Sequence, residues 1–181
     1  MRLVVGLGNP GGEYTYTRHN VGFLVLDSLV NKLLEEVQNP DFKFQKKFNS
    51  EILMGKDYLF AKPQTYMNSS GTVVTKLASF YKIPPSRLYV IHDDLDIAFG
   101  EYKICLGIGP KVHNGVNSVE QAFGRKDFWR VRVGVDNREL QNRIDGEEYV
   151  LQTFTEEEKT VLKSVIERVV DDLVEIFFKD D

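Results

Sequence analysis

The chain has three histidines, and each stands among side chains suited to proton transfer or polar recognition. They occur in Thr17-Arg18-His19-Asn20, in His92-Asp93-Asp94-Leu95-Asp96 and in His113-Asn114-Gly115. An imidazole titrates near neutral pH and is the natural general base, a role worth roughly 10²–10⁴ in rate. A neighbouring carboxylate fixes its tautomer and stabilises the imidazolium that forms. Asp93 and Asp94 are both candidates for that partner of His19. A place at a helix N-terminus would favour the neutral, proton-accepting form of His19. Asn9, Asn68 and Asn114 stand in the same kind of loop. Their uncharged amides suit a peptide backbone, and an ester carbonyl that becomes an oxyanion. Each also has a plain turn-forming reading, as Asn-Pro, Asn-Ser and Asn-Gly. Together these residues suggest attack of an activated water on an acyl carbonyl.

Other chemistries fit less well. His92, Asp93, Asp94 and Asp96 could hold a divalent ion, but no H-E-x-x-H accompanies them, and acids after a strand usually cap or turn. No G-x-S-x-G elbow exists for a serine hydrolase. Gly6-Leu7-Gly8-Asn9-Pro10-Gly11 matches the dinucleotide fingerprint G-x-G-x-x-G, a weak signal alone. Pro10-Gly11-Gly12 reads as a turn where that fingerprint needs a helix, and Glu35 and Glu36 fall at a helix end, not a strand end. No cofactor is expected. Cys105 lies among apolar residues on an expected strand and reads as packing.

The elements that must carry these loops follow an α/β pattern. Arg2–Leu7, Leu88–Ile91 and Val131–Val135 read as buried strands. Glu51–Met54 and Tyr58–Ala61 flank Gly55-Lys56-Asp57 as a hairpin. Residues 20–35 read as a helix with Asn20 as N-cap and Val21, Leu24, Val25, Leu29 and Leu33 on one face. Ser69 and Ser70 are placed to cap a helix that runs to about Tyr81, before Pro84-Pro85. Thr155-Glu156-Glu157-Glu158 has capping-box spacing and opens a C-terminal helix with a sustained apolar face. Strands alternating with helices imply a twisted, mixed, mostly parallel sheet with helices on both faces. The Arg2–Leu7 and Leu88–Ile91 strands end in segments carrying His19 and His92, so both fall on one edge of that sheet, together with Lys62–Ser69.

At 181 residues the chain matches one domain, spanning 1–181, at roughly 150 residues per domain. Hydrophobic residues make up 42% and charged residues 28%, which excludes disordered, collagenous and coiled-coil classes. No apolar run approaches the roughly 18 residues a membrane helix needs, and Leu3–Leu7 is too short for a signal-peptide core. One cysteine excludes an internal disulfide and a multi-cysteine zinc site, so a cytoplasmic location is expected. The net charge is −4, but residues 155–181 alone carry nine acids and four bases, which leaves a body near neutrality. Such a body has room for a local basic face.

With those segments in view, the chain resembles bacterial-type peptidyl-tRNA hydrolases along nearly its whole length. The resemblance rests on Gly6–Gly11, on Tyr14 with Thr17–Asn20 and Gly22-Phe23, and on Lys62–Gly71. It continues through His92–Asp96, His113-Asn114-Gly115 and Arg130–Gly134. It implies a monomeric α/β hydrolase, free of metal, cofactor and obligate protein partner. Its substrate would be the ester of a peptide with the 3′ ribose of tRNA. By the same analogy His19 is the base, Asp93 holds it, and Asn9 tells a blocked amine from a free one. Asn68, Asn114 and His113 hold substrate, Tyr14 and Tyr66 line its path, and residues near 107–123 gate the cleft beside the C-terminal helix. Three features depart from the family pattern. Gly107-Ile108-Gly109-Pro110-Lys111-Val112 replaces a run ending Gly-Gly-His-Asn-Gly, Cys105 stands where a phosphate-gripping base is common, and the C-terminus is acidic.

For phosphate contact the candidates are Lys103, Lys111 and Arg132, with Lys43-Phe44-Gln45-Lys46-Lys47-Phe48 and Arg125-Lys126 as further basic segments. Two other functions compete with the hydrolase. One is a non-catalytic, splicing-factor-like RNA-binding member of the same family. The other is a deacylase acting on misacylated tRNA.

Overall fold

Leu3, Val5 and Leu7 alternate with Val4 and Gly6, and a strand's period of two sends the two sets to opposite faces. In the computed structural model, which describes residues 1–33, 41–139, 141 and 144–179, that alternation sets the layering. The strands are β1 (Arg2–Gly6), β2 (Lys43–Gln45), β3 (Ser50–Met54), β4 (Tyr58–Pro63), β5 (Leu88–Ala98), β6 (Tyr102–Leu106) and β7 (Trp129–Asp136). The helices are α1 (Val21–Leu33), α2 (Ser70–Phe80), α3 (Asn114–Phe123), α4 (Gly146–Val150) and α5 (Glu156–Lys179).

The strands form one sheet in the order β2-β3-β4-β1-β5-β7-β6. Its four central strands are parallel, and β2, β3 and β6 join antiparallel at the edges. Val4, Phe60, Tyr89 and Ile91 face α1 and α5, while Leu3, Val5, Leu59 and Val90 face α2 and α3. The mixed sheet covered on both faces is the architecture expected from the sequence.

Local signals set several boundaries. The capping box forms as spaced: Thr155 N donates to Glu158 Oε2 at 2.8 Å, and Glu158 N donates to Thr155 Oγ1 at 3.2 Å. The 51–61 hairpin is present as β3 and β4. Two expectations change. Asn20 does not cap α1; it lies in a 3₁₀ turn, Arg18–Asn20, and its side chain binds elsewhere. Ser69 makes no side-chain cap to α2. The end of the first helix near residue 35, with Glu35 and Glu36, lies outside the described residues.

Two glycines let helices sit directly on their neighbours. A Cβ on Gly22 would lie 2.5 Å from the carbonyl oxygens of both Leu7 and Ile91, and one on Gly71 would lie 2.0 Å from that of Ser118. Gly22 therefore seats the start of α1, and the turn before it, on the end of β1 and on β5 at Ile91. Its neighbours are backbone atoms with no side-chain freedom to give way. Gly22→Ala is expected to lower stability by about 1–3 kcal/mol. Urea unfolding would show this as a lower midpoint; an unchanged midpoint would mean that α1 docks without this contact.

Candidate active site

β1 and β5 are parallel neighbours, so the segments leaving their carboxyl ends meet. The first of these carries Asn9 and the Arg18–Asn20 turn. The second is the distal part of β5 itself, which runs on through His92–Asp96 instead of ending at Ile91.

Asp93 is the meeting point. It is buried to 1% exposure, and one oxygen, Oδ1, accepts from two imidazoles: His19 Nδ1 at 2.8 Å and His113 Nε2 at 2.8 Å. The hydrogen-bond network assigns the tautomers. His113 Nδ1 accepts from the backbone N–H of Gly115 at 3.0 Å and Val116 at 3.2 Å, so His113 caps α3 and must carry its proton on Nε2. His19 gives its Nδ1–H to Asp93, which leaves the Nε2 lone pair free; His19 lines the cleft.

Electrostatics follow from this arrangement. Burial opposes a charge on His19, but the Asp93 carboxylate and its hydrogen bond outweigh burial and hold the pKa above the ordinary 6.5. Burial alone would raise Asp93; the two histidines pull it well below the usual carboxylate range. The expectation that a helix N-terminus would tip His19 toward its neutral form is outweighed by Asp93. His19 sits in a short 3₁₀ turn ahead of α1, and an adjacent carboxylate dominates. His92 behaves in the opposite way. Burial, with His113 and Arg132 nearby, pushes its pKa down to about 3, so it is neutral. Its Nδ1 donates to the Asp93 carbonyl at 2.7 Å.

The loops are held by long-range contacts. Asn20 clasps Asn9: Asn9 N donates to Asn20 Oδ1 and Asn20 Nδ2 donates to Asn9 O, both at 2.9 Å. Asn9 Oδ1 in turn accepts from Met67 N at 2.9 Å, which leaves its Nδ2 without a protein partner among the described residues. Arg18, buried to 4%, pairs with Glu158 Oε1 at 2.6 Å and donates to the Gln152 and Thr153 carbonyls. Its guanidinium lies over the rings of Tyr149 and Phe154. The sequence alone assigns neither Asn20 nor Arg18 these roles, because their partners are distant in the chain.

Tyr14, Tyr66, Asn68, Asn114 and Lys111 line the same cleft of about 820 Å³, whose apolar part is Met67, Leu95, Val112, Val150 and Leu151. Asp145 and Glu147 add an acidic wall that sequence analysis missed; Asp145 caps α4 through Glu147 N, and the Asp-x-Glu start of that helix was the available signal. The wall is α4, not the long C-terminal helix, which packs on α1 and the sheet.

Several candidates lie elsewhere. Asp94 takes Arg132 at 2.7 Å, both buried, so Arg132 is a scaffold cation and not a surface phosphate site. Lys103 lies in a groove with Arg168 and Asp172, outside the cleft. Lys111 is the exception: it lines the cleft, with its Nζ 4.0 Å from Asp96. Arg125 and Lys126 pair with Asp127 and Glu120. Cys105 is half-buried, with Sγ on the Ile108 carbonyl.

The sequence-suggested metal set does not assemble, since His92 turns onto the Asp93 carbonyl and Asp94 onto Arg132. The donors of His19, Asp93 and His113 do lie within 4.8 Å of one another. But with two N–H groups on its Nδ1, His113 would have to become an imidazolate to ligate through Nε2. The set fits a hydrogen-bonded chain, not a metal site.

Known proteins resemble this chain over most of its length. The family model described as peptidyl-tRNA hydrolase matches residues 3–181. A peptidyl-tRNA hydrolase of Mycoplasmopsis agalactiae is 40% identical over 180 residues, covering 99% of this chain and 91% of its own. One of Mycobacterium avium is 44% identical over 173 residues, covering 93% and 87%. The crystal structure of the Acinetobacter baumannii enzyme superposes with a TM-score of 0.82 at 31% identity, over 94% of this chain and 85% of the other. The chain belongs to the peptidyl-tRNA hydrolase family.

Proposed function

We propose that this chain hydrolyses the ester between a peptide and the 3′ ribose of tRNA, with His19 activating the water. The observation that carries the reading is the Asp93-bound His19 imidazole, whose free Nε2 belongs to a residue lining an open cleft.

In this mechanism Nε2 takes a proton from water as the water oxygen attacks the ester carbonyl. Asp93 stays ionised, keeps the proton on Nδ1 and stabilises the imidazolium. The tetrahedral intermediate collapses, the bond from carbonyl carbon to ribose oxygen breaks, and the imidazolium proton goes to that oxygen. The products are a peptide carboxylate and a free tRNA 3′ end. An acyl ester of ribose is already reactive, so a positioned base and water suffice.

Asn9 offers Nδ2 donors at the cleft while its oxygen is held by Met67 N–H. Those donors suit a carbonyl oxygen of an acylated amine and disfavour a free ammonium. Asn68 and Asn114 extend the row of amides, and Tyr14 and Tyr66 line the path. His113 is assigned a positioning role, because both its nitrogens are committed to Asp93 and α3. The apolar residues Met67, Leu95, Val150 and Leu151 would receive peptide side chains.

The same reading has the chain acting as a monomer in the cytoplasm. No helix among the described residues is long and apolar enough to cross a membrane. A non-catalytic RNA-binding role leaves the His19–Asp93 pair without a purpose, and a deacylase of free aminoacyl-tRNA would meet Asn9 donors with a cationic amine.

Release of the N-acetyl-amino acid from N-acetyl-aminoacyl-tRNA tests the reading. His19→Ala is expected to cost roughly 10²–10⁴ in kcat, with the folded state retained. A chelator is expected to leave wild-type turnover unchanged; loss with chelator would mean a metal mechanism. In the pH profile, kcat/KM should rise with pH as His19 loses its proton, with a midpoint above 6.5. Asp93→Asn removes the charge that raises that pKa and leaves burial, which lowers it. The variant's midpoint should therefore move below 6.5, on a much lower plateau. A midpoint that stays put would assign the profile to another group.

A further inference from the structure

The proposed reaction takes place at one end of a long polyanion, so the rest of the RNA must leave the cleft over one of its lips. One lip is acidic: Asp145 and Glu147 line the cleft, and Glu148, Glu156 and Glu157 stand exposed nearby in sequence. A second, the 107–112 segment, offers one exposed cation, Lys111, with an acid beside it. Lys111 is near Asp96, Arg132 is buried on Asp94, and Cys105 supplies no cation.

The third lip differs. Lys43, Lys46, Lys47 and Lys76 are all exposed, and none forms an ion pair among the described residues. Some lysines elsewhere are paired, as in Lys32–Asp171 and Lys159–Glu156. Others, Lys56, Lys82, Lys103 and Lys163, form no ion pair among the described residues but stand singly in the sequence, whereas Lys43, Lys46 and Lys47 fall within five residues and Lys76 bonds to the Lys47 carbonyl. Two aromatic rings accompany the free lysines. Phe80 is 54% exposed with Lys47 Nζ 3.4 Å from its ring centroid, and Phe44 is 56% exposed. Exposed rings among unpaired cations form the kind of surface on which nucleotides stack while phosphates are neutralised.

This surface adjoins the cleft. The turn between β2 and β3 lies at the same edge of the sheet as the catalytic residues, because Ser50 pairs with Pro63 at the carboxyl end of β4. Asn49 and Gln64 exchange hydrogen bonds of 2.9 and 3.2 Å, and Lys76 Nζ donates to the Lys47 carbonyl at 3.2 Å. Two residues beyond Gln64 stands Tyr66, 65% exposed on the cleft wall. Four strand spacings of about 4.8 Å separate β2 from β5, so the β2 backbone lies about 19 Å across the sheet from the strand that carries Asp93.

We propose that the β2–β3 turn and the exposed side of α2 form a phosphate-binding lip over which the RNA part of the substrate leaves the cleft. The proposal rests on the hydrolase reading for its substrate. It assigns to Lys43, Lys46, Lys47 and Lys76 the electrostatic grip that Cys105 and the buried Arg132 do not provide.

The test compares wild type with the triple variant Lys43→Gln/Lys46→Gln/Lys47→Gln on two substrates. One is N-acetyl-aminoacyl-tRNA; the other is the same N-acetyl-amino acid esterified to adenosine, which lacks phosphates. On tRNA the variant should lose about tenfold or more in kcat/KM, mainly through KM. Its plot of log kcat/KM against log salt should flatten by about 2–3, at roughly 0.7–0.9 for each phosphate that is no longer neutralised. The adenosine ester should be cleaved at the wild-type rate, and Lys56→Gln, at the opposite edge of the sheet, should change neither. Equal losses on both substrates, or a loss that grows with peptide length, would overturn the lip and point to the peptide. An unchanged salt slope on tRNA would also overturn it. Binding of uncharged tRNA, measured by titration, reads the lip without catalysis. If wild type cleaved neither substrate, the hydrolase reading would fail, while weaker tRNA binding by the variant would still support the lip and equal binding would refute it.

Discussion

A single carboxylate oxygen, Asp93 Oδ1, receives hydrogens from two imidazoles inside the protein, and the rest of the site depends on it. A buried carboxylate is costly unless its charge is compensated by hydrogen bonds. Here His19 and His113 supply that compensation, so all three groups are fixed together. His113 is committed by the N-terminus of α3, which settles its tautomer and leaves Nε2–H for Asp93. With one partner fixed from behind, Asp93 holds His19 through Nδ1 and leaves its Nε2 free. A water-activating base results from tautomer control more than from any unusual nucleophile.

The turn that presents His19 is itself held from far away. Arg18 reaches Glu158 and the Gln152–Thr153 backbone, and Glu158 is also the reciprocal member of the α5 capping box. The start of the C-terminal helix and the base of the reaction are thereby one mechanical unit. Gly22 gives the other half of the support by letting α1 rest on the end of β1 and on β5 at Ile91. Asn20 ties this unit to Asn9, so the base and the amide proposed to recognise the acylated amine share one clasp.

Much of this was legible in the sequence where the cause is local. The alternation in Arg2–Leu7, the Gly55-Lys56-Asp57 hairpin and the Thr155–Glu158 box each specify an element from a few neighbouring residues. What needed coordinates was long-range. Asp93 and Asp94 are equivalent by spacing, but adjacent positions of a strand face opposite ways, and only strand pairing shows that Asp94 meets Arg132. For the same reason Arg132 looked like a surface cation. Lys43–Phe48 was visible as a basic, aromatic segment, yet its place beside the cleft follows from the β3–β4 register. For His19 the sequence places a helix N-terminus two residues on, but it does not show the larger influence, the Asp93 carboxylate against the ring.

The central claim is that His19 is neutral with its proton on Nδ1, held there by Asp93, and that its Nε2 is the base. Nitrogen NMR of the histidine side chains across a pH titration tests this most directly. The account predicts that above its transition His19 shows a protonated Nδ1 and a bare Nε2, with a midpoint above 6.5, and that His113 shows the reverse tautomer. A His19 that carries its proton on Nε2 at high pH, or that titrates below 6.5, would contradict it.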